Sequence, residues 1–312
     1  MLSINIPVYN VIVDDLVLQL HTQAENLNIL FEIRVYDDGS SEAIKKHNQQ
    51  LRDIKNVVYI ELEKNIGRAA IRNKMGFDSE FEKLLFIDAD SKIIGENYLE
   101  NYVKRTENNS VLCGGTAYSA LKPGREEELL RWKYGTYREA IPAAQRNSQK
   151  GFIITANNFI ISKNIFENIH FREELRGYGH EDTLLGFDLF KSGIDIVHID
   201  NPVEHTGLED AATFLEKSKS ALDNLFFISK NLFDENPEFN RQIRFLNRYQ
   251  KITRFVFPGF LRLFFKLFAS SIERNLEGKH PSLFWFDVYK LSYYAGFSTR
   301  QKYKYLIFSK LS

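Results

Sequence analysis

Four short apolar runs in the first ninety residues each stop at a polar cluster, and this pattern restricts the fold more than any other feature. Leu2–Val8 ends at Tyr9–Asn10, Phe31–Tyr36 at Asp37–Asp38–Gly39–Ser40, Val57–Leu62 at Asn65–Ile66–Gly67, and Leu84–Ile87 at Asp88–Ala89–Asp90. Between them lie stretches with helical spacing, such as Leu16, Leu20, Ala24 and Leu27 within Asp14–Leu30. This alternation of strands and helices predicts an α/β fold with a mostly parallel sheet covered on both faces. Ligands of such sheets bind beyond the carboxyl ends of the strands, which is where the polar clusters of this chain fall.

Further along, strands are expected near Val111–Cys113 and over Phe152–Ser162, a helix opens at Glu181–Asp182 and stops before Gly193, and Asp195–His198 is a last strand. Ala211–Leu232 reads as one long amphipathic helix, with Pro237 in a linker. The expected division is residues 1–235 for the α/β domain and 236–312 for a helical extension. A chain of 312 residues with 44% apolar and 26% charged residues excludes a disordered or collagen-like protein. Cys113 is the sole cysteine, so no internal disulfide forms, which fits a reducing compartment. No basic segment followed by a long apolar run marks the start, and no run of about 18 apolar residues suggests a spanning helix.

Five constellations carry chemistry. Asp88–Ala–Asp90 sets two carboxylates just past a strand, where they are either a solvated turn or ligands of a divalent cation or a ribose. Asp37–Asp38–Gly39–Ser40 is a turn with a serine helix cap, and one that could also receive an N–H from a nucleobase. In Asn65-Ile-Gly67-Arg68-Ala-Ala-Ile-Arg72, the glycine permits a tight entry into a helix whose start favours phosphate. Arg68 and Arg72 are four apart and share a helix face, as a solvated basic stripe or as partners of a diphosphate. Gly177-Tyr-Gly179-His-Glu181-Asp182 brings paired carboxylates to a helix start, where they satisfy amides or act as general base and acceptor ligand. His205, after Pro202–Val203–Glu204, is a structural imidazole or a ligand that suits Mn²⁺ better than Mg²⁺.

In this order, and with Ile6–Pro7–Val8–Tyr9–Asn10 ahead of them, these motifs resemble the inverting family 2 glycosyltransferases of the GT-A fold, over about residues 1–210. The Gly-x-Gly-x-Glu-Asp form is similar to the acceptor motif of galactosyltransferase-type members. The resemblance implies a GT-A, Rossmann-like nucleotide-sugar domain. Pro7, Tyr9, Asp37 and Asp38 would line the nucleobase site together with the Asn65–Gly67 turn. Arg68 and Arg72 would lie near base or phosphates, and Asp88 at ribose or metal. Asp90 and His205 would hold Mn²⁺ or Mg²⁺, with Mn²⁺ favoured. Asp182 would be the catalytic base, Glu181 would hold the acceptor, and Asn157, Asn158 and Gly179 would contact it. The Gln-x-x-Arg-Trp signature of processive polymerases is missing, since Arg131–Trp132 precedes the Glu–Asp pair without a Gln. The implied activity is transfer of a single sugar from a nucleotide sugar, with UDP the expected nucleotide, to a glycan or lipid-linked acceptor in cell-surface polysaccharide synthesis. The competing readings are a non-catalytic nucleotide-binding scaffold and a nucleotidyltransferase.

The balanced charge of the whole chain hides a division. Residues 241–312 hold 14 Lys/Arg against 3 Asp/Glu and 18 of the 43 aromatics, whereas residues 1–240 hold 27 against 38. Phe255–Ala269 is apolar but interrupted by Arg262 and Lys266, and Asp287–Tyr305 adds Tyr289, Tyr293 and Tyr294 with Lys290, Arg300, Lys302 and Lys304. Such a segment suits an anionic membrane surface or a helical cap packed on protein, and its apolar run argues against nucleic acid. The corresponding location is cytoplasmic, peripheral on the inner face of the membrane. Oligomeric state is not encoded in any feature of the sequence.

Overall fold

The computed structural model describes residues 1–105, 110–148, 151–175 and 177–297. They divide into two compact units, Met1–Ala120 with Gly135–Leu175 and Glu181–Gly207, and Leu121–Tyr134 with Arg176–His180 and Leu208–Ser312.

The first unit is built on ten strands: β1 (Leu2–Val8), β2 (Phe31–Asp37), β3 (Val57–Glu61), β4 (Lys83–Ile87), β5 (Ser91–Ile93), β6 (Ser110–Cys113), β7 (Thr116–Ala117), β8 (Asn158–Ser162), β9 (Asp195–His198) and β10 (Val203–His205). Seven of them form one sheet in the order β3-β2-β1-β4-β8-β6-β9, and β5-β10-β7 form a second. Only β8 runs against its neighbours in the large sheet, so the expected mostly parallel sheet is what forms. The central strands are buried on both faces, on one by Leu2, Ile4, Ile6 and Val8 under the helix Asp14–Asn26, and on the other by Leu84, Phe86, Phe159 and Ile161 packed with Leu185 and Leu189 of the helix Glu181–Lys191, while the polar Ser3, Glu32 and Arg34 of β1 and β2 are buried in hydrogen bonds. The register sets Val8 opposite Asp37, Asp37 opposite Glu61, and Ile87 opposite Asn158. The polar clusters after Val8, Tyr36 and Ile87 therefore share one rim with the start of β8.

Several boundaries differ from the sequence reading. Strand β8 begins at Asn158 rather than Phe152, because Phe152, Ile154 and Ala156 are buried as an irregular segment instead of pairing. The long helix ends at Phe227 and loosens into a wider π-type turn over Ile228–Leu232. Pro237 is not in a linker but starts the helix Pro237–Gln242, where its missing N–H costs nothing and Asn236 caps the next amides.

The second unit also departs from the expected boundary at residue 235. Its core joins Leu130, Phe214 and Leu215 to Ile272, Leu276, Phe286 and Tyr289, so the helix Ala211–Phe227 and the stretch Leu121–Tyr134 belong with the C-terminal helices Pro258–Leu276 and Leu283–Tyr294. Aromatic edges organise this core: Tyr134 meets Phe286 edge-on at 5.4 Å, and the Tyr289 hydroxyl donates to Glu273 at 2.6 Å. Arg300, Lys302 and Lys304 lie outside the described residues.

Gly76 tests the packing of the first unit. In the helix Arg68–Asp78, a Cβ at this position would fall 2.2 Å from Cε1 of the fully buried Phe166. An alanine in a helix normally stabilises by about 1 kcal/mol over glycine. Here Gly76→Ala should instead destabilise by about 1–3 kcal/mol in urea unfolding.

Candidate active site

The site is built from strand ends of the first unit. The turn after β2 is closed by its own carboxylates. Asp37 is fully buried and its Oδ1 accepts the Ser40 amide at 2.7 Å, with the Tyr59 hydroxyl 3.5 Å from Oδ2. That carboxylate is enclosed within the turn. Asp38 accepts the amides of Ile66 and Gly67 at 2.7 and 3.2 Å. It thereby ties the turn after β2 to the entrance of the helix Arg68–Asp78. Gly67 has φ +96°, a backbone shape that side chains resist, with open space around it. Burial raises the Asp38 pKa and the two amides counter it. Pro7, half-buried on β1, Tyr9, which is 54% exposed, and the exposed Asn65 line this part of the rim.

The arginines are not equivalent. Arg68 is exposed and its Nη1 lies 3.5 Å from Glu181 Oε1. Arg72 is buried, donates to Asp88 Oδ1 at 2.5 Å and to the Arg68 carbonyl at 3.1 Å, and its guanidinium lies over the Phe171 ring. A buried cation of this kind needs such a partner. The Asp88 amide donates to the Asn157 carbonyl at 3.2 Å, which joins the ends of β4 and β8.

Asp90 and His205 meet through the small sheet. The register pairs Ser91 with His205, and both the amide and the hydroxyl of Thr206 donate to the Asp90 carbonyl. Nδ1 of His205 is 3.5 Å from Asp90 Oδ1, while its buried Nε2 has no partner among the described residues. Burial works to raise the Asp90 pKa, but contact with His205 and the charge of Arg68 bring it below the usual value. A Cβ on Gly207 would fall 2.5 Å from Asp90 Oδ2, so glycine keeps that face of the carboxylate open. One ionised carboxylate, one imidazole with an orphaned nitrogen, and open space beside them fit a divalent cation that takes its other ligands from water and phosphate. Among the described residues no group of three or more His, Cys, Asp or Glu side chains converges, so the protein would supply two ligands.

Asp182 opens the helix Glu181–Lys191. Burial pushes its carboxyl up to about 7, the adjacent Glu181 charge adds to the rise, and the Thr183 amide and Arg72 oppose it. Oδ1 accepts that amide at 2.7 Å, and Oδ2 takes no hydrogen bond from the described residues. A carboxyl held near neutrality with one free oxygen has the properties of a general base.

The two asparagines at the start of β8 separate. Asn157 donates from Nδ2 to Thr116 Oγ1 at 2.8 Å and leaves its buried Oδ1 without a partner. Asn158 is fully buried and saturated. It accepts from the hydroxyls of Tyr98 and Tyr102 at 2.6 Å and donates to the carbonyls of Gly115 and Asn201. The expected acceptor role of Asn158 is therefore corrected: it is an internal clamp. Gly179 belongs to the second unit, with φ +97° against Ala221, and Asn224 donates to its carbonyl.

Tyr118 was not singled out by the sequence as a neighbour of His205, yet its ring meets the imidazole edge-on at 5.6 Å and its hydroxyl donates to Glu139. Gly135, whose Cβ would collide with the Tyr118 ring, makes room for it. Only a lone Tyr at the end of a short strand marks this contact in the sequence, and no local pattern specifies it.

Comparison with known proteins gives three findings. A family model described as Glycosyl transferase family 2 matches residues 3–169. Among solved structures, mannosyltransferase PcManGT from Pyrobaculum calidifontis in complex with GDP-Man and Mn²⁺ is 11% identical, with 96% of this chain and 88% of that chain covered and a TM-score of 0.55. S. aureus TarS is 18% identical, with 94% of this chain and 54% of that chain covered and a TM-score of 0.50. Likeness at these identities concerns the fold alone. No curated protein matches the chain.

Two substitutions check this geometry. Asn158→Ala should lower stability by about 3 kcal/mol or more in denaturant, because it strands several buried polar groups. Asp182→Asn should do the reverse. A carboxyl whose pKa rises from 3.8 to about 7 on folding makes the native state less stable as pH climbs between those values, and the full cost remains above them. The melting temperature of the Asn variant should gain on the parent from about pH 4 to pH 7 and hold a constant lead above.

Proposed function

Because the chain belongs to glycosyl transferase family 2, we propose that it is a metal-dependent inverting glycosyltransferase that moves one sugar from a nucleoside diphosphate sugar, with UDP the expected nucleotide, onto a hydroxyl of a glycan or lipid-linked acceptor. Cell-surface polysaccharide synthesis is the pathway class this chemistry serves. The observation that carries the reading is the division of labour between two carboxylates on one rim: Asp90 is held ionised beside His205, and Asp182 is held near neutrality beside Glu181. The fold type accommodates GDP-Man and Mn²⁺ in PcManGT.

Each residue then has a task. Tyr9, Pro7 and the turn fastened by Asp38 receive the nucleobase and ribose. Arg68, exposed at the helix start, faces the diphosphate, and Arg72 holds Asp88 in place. Asp90 and His205 would hold the cation, which when bound stabilises the negative charge gathering on the diphosphate leaving group. Oδ2 of Asp182 accepts the proton of the acceptor hydroxyl as its oxygen attacks the anomeric carbon from the side opposite the diphosphate. The bond from that carbon to the diphosphate oxygen breaks, and its electron pair leaves with the nucleoside diphosphate. Glu181 and Asn157, whose Oδ1 is unpartnered, orient the acceptor, and orientation accounts for much of the rate.

A panel of nucleotide sugars with Mn²⁺, read by release of nucleoside diphosphate, tests this. Asp182→Asn should cut kcat by about 10²–10⁴ while nucleotide affinity holds. Asp90→Ala should remove the Mn²⁺ dependence of nucleotide binding. The parent's kcat should rise with pH through an apparent pKa near 7, as Asp182 ionises. Release of pyrophosphate from a nucleoside triphosphate would identify a nucleotidyltransferase. Nucleotide binding without turnover, indifferent to Asp182→Asn, would identify a scaffold.

A further inference from the structure

The helix Pro258–Leu276 has two apolar faces, and only one is covered. Phe265, Ala269, Ile272 and Leu276 recur at spacings of three and four and pack into the core of the second unit. Phe260, Leu263 and Leu267 recur at spacings of three and four on the opposite side, and all are exposed. The corner leading into this helix is more open still. The helices Arg244–Thr253 and Pro258–Leu276 meet at a bend of 107°, and in the turn between them Phe255 is 90% exposed and Phe257 79% exposed. A helix that is apolar on both sides needs a second apolar cover, and an exposed patch of this size marks an interaction surface.

The surrounding charge says what that cover is. From Phe239 to Ile272 the chain carries seven Lys/Arg and not one Asp/Glu. Lys251 and Arg254 precede the corner, and Arg262 and Lys266 interleave with the exposed Phe260, Leu263 and Leu267; all four cations are exposed. A twofold self-contact would set this patch against itself and bring like charges together. A nucleic acid would satisfy the cations but leave aliphatic side chains such as Leu263 and Leu267 without a partner, since they have no π-face on which bases stack. An anionic bilayer surface satisfies both, with phosphate groups for the cations and the acyl boundary for the rings. No single helix among the described residues is long and apolar enough to cross a membrane, although the bent pair has the length and composition of a broken span.

We propose that Phe255, Phe257, Phe260, Leu263 and Leu267 form a wedge that inserts into the interface of an anionic phospholipid bilayer, with Arg254 and Lys266 on its headgroups. The wedge lies in the plane of the interface and does not span. This inference is independent of the assigned chemistry, since it concerns the second unit alone.

Flotation of the full chain with vesicles tests it. The protein should float at low salt with phosphatidylcholine containing roughly one-third phosphatidylglycerol, much less with phosphatidylcholine alone, and should be released by alkaline carbonate. The double variant Phe255→Ser/Phe257→Ser should lose binding by about tenfold or more, and so should Arg254→Glu/Lys266→Glu. Both variants alter exposed side chains, and an unchanged melting temperature in each confirms that the fold persists. Any one of four results would overturn the proposal. The first is a protein that stays in the soluble fraction with anionic vesicles at low salt, and the second is flotation of both variants like the parent. Membrane retention through carbonate would mean a broken span. Concentration-dependent self-association abolished by the same variants, without flotation, would mean a contact between copies.

Discussion

A guanidinium almost sealed from water sits among the carboxylates of the rim, and the arrangement of the others depends on it. Arg72 is 2% exposed, donates to Asp88, and opposes the rise of Asp182. A charge in such a place persists only if partners compensate its lost hydration. The compensation is mutual here. Asp88, Asp182 and Glu181 come from two distant stretches of chain, and a concentration of negative charge would push them apart without a cation between them. The helix Arg68–Asp78 can place this side chain because Asp38 fastens the amides just ahead of it. A turn at one strand end thereby sets the electrostatics at another.

The same rim separates two aspartates by environment rather than by type. Asp90 has an imidazole and a guanidinium nearby and stays charged across the ordinary pH range. Asp182 is crowded by Glu181 and by protein atoms, and its proton affinity sits close to neutrality. Pairs of like groups driven apart in pKa are a recurring sign of divided acid–base roles. A carboxylate that must stay ionised to hold a cation cannot also exchange a proton near pH 7. Keeping the two on separate elements, the turn after β4 and the start of the helix Glu181–Lys191, lets each be tuned alone.

Much of this was legible in the sequence because parallel strands impose it. Strands that alternate with helices run in parallel and end at a shared rim, so the polar cluster that stops each strand marks that rim, and Asn10, Asp38 and Asp88 were found that way. What stayed hidden depends on partners distant in the chain. Nothing near Asn158 announces that Tyr98, Tyr102, Gly115 and Asn201 saturate it, nor that its neighbour Asn157 is left open. Asp37 and Asp38 are adjacent, alike and both buried, and only the folded chain decides that one accepts the Ser40 amide and the other the amides of Ile66 and Gly67. The division into units was missed for a similar reason. The amphipathic pattern of Ala211–Phe227 shows that one face is buried, but not that Ile272 and Phe286 bury it.

Three buried atoms at the expected site have no partner among the described residues: His205 Nε2, Asn157 Oδ1 and Arg72 Nε. Leaving such atoms dry costs about 1–3 kcal/mol each in a folded protein. Neighbouring groups are fully bonded: Asn158 uses its carbonyl and its amide in full, and Arg146 reaches the carbonyls of Cys113, Gly114 and Ile199 at once. Under the proposed function, His205 Nε2 and Asn157 Oδ1 are the two that a cation and an acceptor would engage. The imidazole is fixed by the Tyr118 ring and the Asp90 carboxylate, and the Asn157 amide by Thr116. Both side chains are oriented in advance, so under the proposed function the stability they forgo would be returned as affinity and alignment for a donor and its cation.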